Sequence, residues 1–403
     1  MGWSCPIVYF CPVLIDFLKM RVIFLSNFLT HHQKPLSDEL YALLGNGNYF
    51  FVCTKEVSEE RKRLGWPVLE APYALQYNDD NRREIEKMIE TADAVIYGDA
   101  PLALVKKRYE EGKLTLCNSE RRYKTISRYL KYPINSYKSY YINKGYLLAS
   151  SAFAPRDYMI SGMPLKKCFK WGYFPEVKTY SDIDVIINKK GYGKEKHHAL
   201  SLLWAGRLIR YKHPEMPLHI ASKLRKEGYT FHLDMIGNGE MEAGLRSKIE
   251  EYHLSDCVSL FGSMTPSEVR AHMEQADIFL FTSDRQEGWG AVLNESMNSA
   301  CAVVVSDAIG STPYLIKDGG NGMKYQCGNV EDLYQKVKYL IDQPTARFKM
   351  QRNAYETIHE IWNSKNAASC LIRLCDALLN GNSTPIAEGP GSRASLIFDK
   401  WII

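Results

Sequence analysis

The sequence predicts an α/β chain: two Rossmann-like halves, each a parallel sheet wound with crossover helices, facing each other across a central cleft. Three observations carry this. Short apolar, β-branched runs alternate with longer helical patterns, the mark of parallel strands joined by helices. The alternation runs twice, with a polar stretch rich in Gly and Lys over 174–200 between the two series. The 403 residues also exceed what one core usually organises.

In chain order, strands are expected at 20–26, 49–53, 93–97, 114–117 and 145–150, with helices over 34–45, closed by Gly45, and 81–92. The second half gives strands at 201–206, 231–236, 257–261, 277–282 and 302–305, with helices such as 214–227 and 266–275 between them. The resulting scheme is an N-terminal extension (1–19), a first domain (20–185), a linker (186–200), a second domain (201–355), a C-terminal helix packing back toward the first domain (356–380) and a tail (381–403). The tail is flexible by composition. The extension is apolar but interrupted by Pro6, Pro12 and Asp16. It falls short of the about 20 apolar residues of a membrane span. It also lacks the basic front and cleavage site of a secretion signal. It is expected to be an upstream-start addition or a segment that touches a membrane.

Composition narrows the class. Hydrophobic residues are 45% and charged residues 24%, an ordinary globular balance. Ten cysteines without a CxxC pair point to a reducing, cytoplasmic setting rather than a disulfide framework or zinc site. No HExxH and no P-loop occurs. The formal charge is +5, but Ala103 to Lys131 holds nine Lys/Arg against three Glu, a local net of +6. That stretch reads as a solvated helix face or as a basic face for phosphate or the anionic inner surface of a membrane. Nucleic acid is not expected as a partner.

The chemistry concentrates where strands end. After Asp277–Phe281 comes "SDRQEGWGAVLNESM" (283–297). Gly288 and Gly290 bare the backbone amides where strand turns to helix, a seat for phosphate. Glu295, about one turn into the helix, can accept hydrogen bonds from neighbouring ribose hydroxyls. Glu287, at the strand's carboxyl end, can do the same for a second polyol. Together these describe a nucleotide-sugar. In "WAGRLIRYKHPE" (204–215), Arg207 and Lys212 offer a planar fork and a point charge, both suited to a diphosphate that gains charge as its bond to the sugar breaks. "IGNGE" (236–240) brings Gly237, Asn238 and Gly239 to a third strand end.

"GRLIRYK", "MIGNGE", "EGWGAVLNESM" and "SDAIGSTPYLIKDGGNGMKY" (306–325), in this order, resemble glycosyltransferase family 4, retaining enzymes of GT-B architecture. The resemblance is specific over 200–345 and continuous over 20–180, where "MRVIFLSNFLTHHQKPLSDELYALLG" and "KWGYFPE" resemble bacterial polysaccharide-synthesis members. It implies an acceptor domain followed by a donor domain. Arg207 and Lys212 would hold the donor diphosphate of a UDP- or GDP-sugar, and Glu295 the ribose. Glu287 would face the donor sugar, with Gly288, Trp289, Gly290 and Ala291 contacting sugar or phosphate through their backbone. The Gly237–Glu240 turn would lie by the base. It implies transfer to a glycan or polyprenyl-diphosphate-linked acceptor, from the same face the phosphate leaves, with no cofactor and no metal. The enzyme would be cytoplasmic, peripheral on the inner face of the membrane.

This chain departs from the pattern in places. "SNFLTHHQKP" (26–35) replaces a Gly-Gly loop, Asp99 stands where many relatives have His, and Tyr314 replaces a Glu. Asp99, His31 and His32 are the acceptor-side candidates. Asp182–Ile183–Asp184 has the form of a metal-binding Asp-x-Asp, but its place near the linker suits a solvated loop. Two other classes compete. An NAD-dependent oxidoreductase needs a GxGxxG turn that neither half has. A non-catalytic GT-B-shaped binding protein would not need Glu287, Glu295, Arg207 and Lys212 together.

Overall fold

The computed structural model describes residues 20–57, 69–122, 137–190 and 199–398. The extension, the 191–198 part of the linker, 123–131 of the basic stretch and 399–403 lie outside the described residues. Thirteen strands form two wholly parallel sheets. The first is β1 (Val22–Ser26), β2 (Tyr49–Cys53), β3 (Ala74–Gln76), β4 (Ala94–Tyr97), β5 (Thr115–Ser119), β6 (Tyr146–Ala149) and β7 (Cys168–Lys170), ordered 3-2-1-4-5-6-7. The second is β8 (Leu200–Ala205), β9 (Phe231–Ile236), β10 (Val258–Gly262), β11 (Ile278–Phe281), β12 (Ala302–Ser306) and β13 (Met323–Tyr325), ordered 10-9-8-11-12-13. Strand order reverses between β1 and β4 in one sheet and between β8 and β11 in the other. Open parallel sheets bind ligands at such points, beyond the strands' carboxyl ends.

The central strands are apolar on both faces because helices cover both: every residue of β1, β4, β11 and β12 is buried. The Lys34–Leu44 helix stops at Gly45, whose φ of 81° suits glycine. Its partner is distant in sequence, the Ser364–Leu379 helix near the C-terminus, which crosses back to pack on it. An apolar seam of Trp171, Phe174, Trp289 and Trp362, all buried, joins the halves.

Three expectations are corrected. β3, β7 and β13, three residues each, fall outside the predicted strands. They are edge or near-edge strands, held by a neighbour more than by their own apolar run. The tail expected beyond 380 is tied down: the Lys170 N–H donates to the Ser392 carbonyl at 2.8 Å, and Gly391 and Ala394 N–H groups bond back to Lys170 and Cys168. The open edge of β7 offers backbone partners that composition does not register. The described part of the basic stretch, 103–122, is not one solvated face. Arg108 is buried, its guanidinium bonded to the carbonyls of Ile89, Ala92 and Leu114 at 2.7–2.8 Å. Lys107 pairs with Glu90 and Lys113 with Glu111. No helix among the described residues is long and apolar enough to cross a membrane.

Candidate active site

Three loops leave the carboxyl edge of the second sheet. Gly206–His213 follows β8, Gly237–Glu240 follows β9 and Thr282–Ala291 follows β11. The first two lie in contact: the Leu208 N–H donates to the Asn238 carbonyl at 2.7 Å and the Met241 N–H to the Leu208 carbonyl at 3.0 Å. Only glycine permits this. Gly237 and Gly239 have φ of +138° and +156°, and a Cβ on them would overlap the carbonyls of Gly206 and Leu208.

The third loop fixes Lys212 from behind. Thr282 Oγ1 donates to the Lys212 carbonyl at 2.7 Å and accepts from the buried Trp204 indole at 2.8 Å. The Asp284 N–H donates to the Tyr211 carbonyl at 2.8 Å. His213, left-handed at φ 49°, stands between Asp284 and Glu215. Hydrogen bonding to Asp284, then to Glu215, raises its pKa to about 9, so it is charged at neutral pH.

Held this way, the Lys212 ammonium bonds Glu287 Oε2, to which Ser283 Oγ also donates at 2.9 Å. The two side chains are only 14% and 12% exposed. Arg207, exposed, donates to the Tyr211 hydroxyl at 3.0 Å. The helix after the third loop, Val292–Asn298, has seven residues, so the side-chain cations supply most of the positive charge at this edge.

Glu295 sits in that helix. Its carbonyl accepts from Arg270 at 2.8 Å and from Ser299 Oγ at 2.9 Å. Its carboxylate has no hydrogen-bond partner among the described residues. Burial pushes its pKa up, with the Arg270 charge opposing. Trp289 is different: its indole turns away from the cleft, fully buried, and donates to Asn294 at 2.9 Å. Its ring lies over Gly172 of the first half, where any side chain would collide with it.

The halves also touch at Gly288, where a Cβ would overlap the Glu120 carboxylate, and at Gly310, whose carbonyl accepts from the Ala152 N–H at 2.8 Å. Glu120 accepts from the Tyr173 hydroxyl at 2.8 Å. In the first half, Asp99 is exposed after β4 and accepts from Asn27 at 3.0 Å. Asp99 and His32 line a cavity there; His31 lies against His32 at a 50° tilt, ring centres 3.8 Å apart. The Asp-x-Asp is accounted for structurally: Asp182 caps the Ile183–Lys189 helix and Asp184 pairs with Arg352.

Lys212 and Glu287 are thus joined directly, and the Arg207 and Gly237–Gly239 loops adjoin them. Asp99, His31 and His32 belong to the other domain. Sequence reasoning missed Thr282, Asp284, Glu120 and Tyr173. Thr282 and Glu120 each immediately follow a strand, so the strand-end rule could have flagged both.

Residues 187–357 match the family model described as Glycosyl transferases group 1. Over 142 residues the chain is 31% identical to the amylovoran biosynthesis glycosyltransferase AmsK of Erwinia amylovora, covering 34% of this chain and 35% of that protein. The match thus spans about a third of that relative's length. A glycosyltransferase from Rickettsia africae superposes with a TM-score of 0.65 at 15% identity, over 91% of this chain and 100% of that one. HepE of Anabaena, solved in complex with UDP-glucose, gives 0.61 at 13% identity, over 90% and 100%. The fold is GT-B, two Rossmann-like domains facing one cleft.

Proposed function

We propose that the chain is a retaining glycosyltransferase of the family 4 type, moving a sugar from a nucleotide-sugar to a glycan or lipid-linked acceptor in cell-surface polysaccharide biosynthesis. The observation that carries this is the Lys212–Glu287 pair at the switch point, beside Arg207. A cation held by backbone anchors needs no reorganisation to meet a diphosphate. On donor binding, the diphosphate replaces Glu287 as the counterion of Lys212, and Glu287 turns to the hydroxyls of the sugar. Glu295, partly buried and with no hydrogen-bond partner for its carboxylate among the described residues, takes the ribose hydroxyls. As the bond from the anomeric carbon to the diphosphate oxygen breaks, negative charge grows on the diphosphate beside Lys212 and Arg207. The acceptor hydroxyl attacks from the same face and passes its proton to the leaving phosphate oxygen. The two cations supply the charge that a metal would bring elsewhere, so activity should persist in EDTA.

AmsK's role in amylovoran biosynthesis and HepE's complex with UDP-glucose support the polysaccharide setting and a uridine donor. Buried thiols such as Cys117, Cys301 and Cys375, not joined in disulfides, support a reducing cytoplasmic site. A lipid-linked acceptor would place the enzyme at the inner membrane face.

Calorimetry with UDP, GDP, ADP and uridine tests the reading. One diphosphate should bind far better than its nucleoside. Lys212→Ala should weaken the diphosphate by roughly 10- to 100-fold, the loss of a charged hydrogen bond, and leave the nucleoside unchanged. Failure of every diphosphate to bind, or equal affinity in the variant, refutes it.

A further inference from the structure

The first domain has a cavity of about 460 Å³ at its own switch point, between the ends of β1, β4, β5 and β6. Its lining includes Asn27, His32, Asp99, Asn118, Glu120 and Tyr173. Two features characterise it. The polar groups are planar amides and carboxylates already oriented: Asn27 donates to Asp99 at 3.0 Å, Ser150 to Asn118 at 2.6 Å and Tyr173 to Glu120 at 2.8 Å. Beside them stands a flat apolar wall. The His32 and Tyr173 rings are nearly parallel, 9° apart with centres 6.4 Å apart, and His32 Nδ1 is buried without a hydrogen-bond partner. Burial, then the neighbouring His31, lowers the His32 pKa to about 3, so this imidazole adds no charge. The described charges are then two carboxylates and the exposed Lys138, whose ammonium sits over the Tyr97 ring at 5.5 Å.

We propose that this cavity binds the terminal sugar of the acceptor as an uncharged ring, and that Glu120 holds its reacting hydroxyl against Gly288 at the edge of the donor loop. This rests on the glycosyl-transfer reading above. Alternating hydroxyl donors suit carboxylate and amide acceptors, and the C–H face of a ring suits a flat aromatic wall. An anionic saccharide would bring a third negative charge close to Asp99 and Glu120, in a site partly shielded from water. Glu120 lines the cavity and also meets the donor loop at Gly288, so the hydroxyl it holds lies beside the donor.

Saturation-transfer NMR on the full chain, with UDP present, tests this using methyl glycosides of glucose, galactose, mannose and N-acetylglucosamine, and glucuronate, galacturonate and mannuronate. At least one neutral glycoside should bind, and its matching uronate should bind about tenfold or more weakly. In the Asp99→Asn, Glu120→Gln double variant that discrimination should vanish. Tyr173→Phe, which removes the hydroxyl bonded to Glu120 without changing its charge, should weaken the neutral glycoside severalfold and keep the discrimination. A uronate bound as tightly as its neutral match, a ratio unmoved in the double variant, or no glycoside bound by wild type overturns the proposal. A chain that binds neutral glycosides selectively but no nucleoside diphosphate keeps the cavity and sinks the donor reading instead.

Discussion

A partly buried carboxylate with nothing to bind is held at a cost, and Glu295 is in that position. Arg270 bonds its main-chain carbonyl while its side chain lacks a partner among the described residues. Replacing it with glutamine should move stability and binding in opposite directions. On the stability side, burial raises the folded-state pKa above the unfolded value. The contribution of such a group is fully present below the unfolded pKa and is lost as pH rises through the folded one. Wild type and Glu295→Gln should therefore melt together in acid and separate toward neutrality, the variant being more stable. Glu295 is only partly buried and Arg270 offsets part of the cost, so the gain should be at most about 1 kcal/mol, the low end for an unpaired buried polar group. That is roughly 2–4 °C for a domain of this size. On the binding side, a hydrogen bond to a charged group is worth about 1.5–3 kcal/mol. Glutamine keeps one neutral acceptor oxygen, so a net loss of about 2 kcal/mol, roughly 30-fold in the dissociation constant of UDP, follows. Pyrophosphate, which lacks the ribose, should bind both proteins alike. Melting curves over a pH series and calorimetry with the two ligands read both halves. A variant that is less stable at neutral pH, or that binds UDP as well as wild type does, refutes the assignment.

Lys190→Met should strip the donor from four main-chain carbonyls, those of Met273, Ala276, Ser299 and Ala300, now 2.6–3.0 Å from its buried ammonium. The loss should be about 3–5 kcal/mol in urea unfolding, and a change below about 1 kcal/mol would show that these helix ends satisfy themselves. His213→Asn keeps a residue that tolerates the left-handed conformation and removes the charge between Asp284 and Glu215. Because the folded pKa is raised to about 9, the stabilisation is complete below the unfolded value and fades as pH rises through 9. The variant should be less stable than wild type at pH 6–7 and match it above about pH 10; a deficit that does not depend on pH would mean that packing, not charge, is responsible.

The architecture was legible because parallel strands buried on both faces are continuous apolar runs, as in "VIFLS" and "IFLF". The donor-side candidates were picked out by their place in or just beyond the loops that leave such runs, after β8, β9 and β11. What sequence could not give is reciprocity between distant loops. Thr282 matters because Trp204 and Lys212 both reach it, 78 and 70 positions away. Glu120 matters because it faces a glycine 168 positions on in the chain. Charge counting failed over Ala103–Lys113 for a related reason. Arg108 spends its charge on main-chain carbonyls inside the domain, a fate that a count of cations cannot distinguish from a surface one.

Trp289 shows why the donor loop and the domain seam are one structure. The indole closes the Glu287–Ala291 loop from below, yet it lies among residues of the first domain and the C-terminal crossover: over Gly172, 6.4 Å from the Tyr173 ring centre and 5.8 Å from that of Trp362. Asn294 extends the link, taking the indole N–H and reaching the Tyr173 carbonyl at 3.3 Å. Tyr173 in turn orients Glu120 over Gly288. The contacts of Gly288 with Glu120 and of Trp289 with Gly172 both cross between the domains, so the Glu287–Ala291 loop is held from both. The donor loop and the domain seam thus share the burial of one of the largest apolar side chains a protein has.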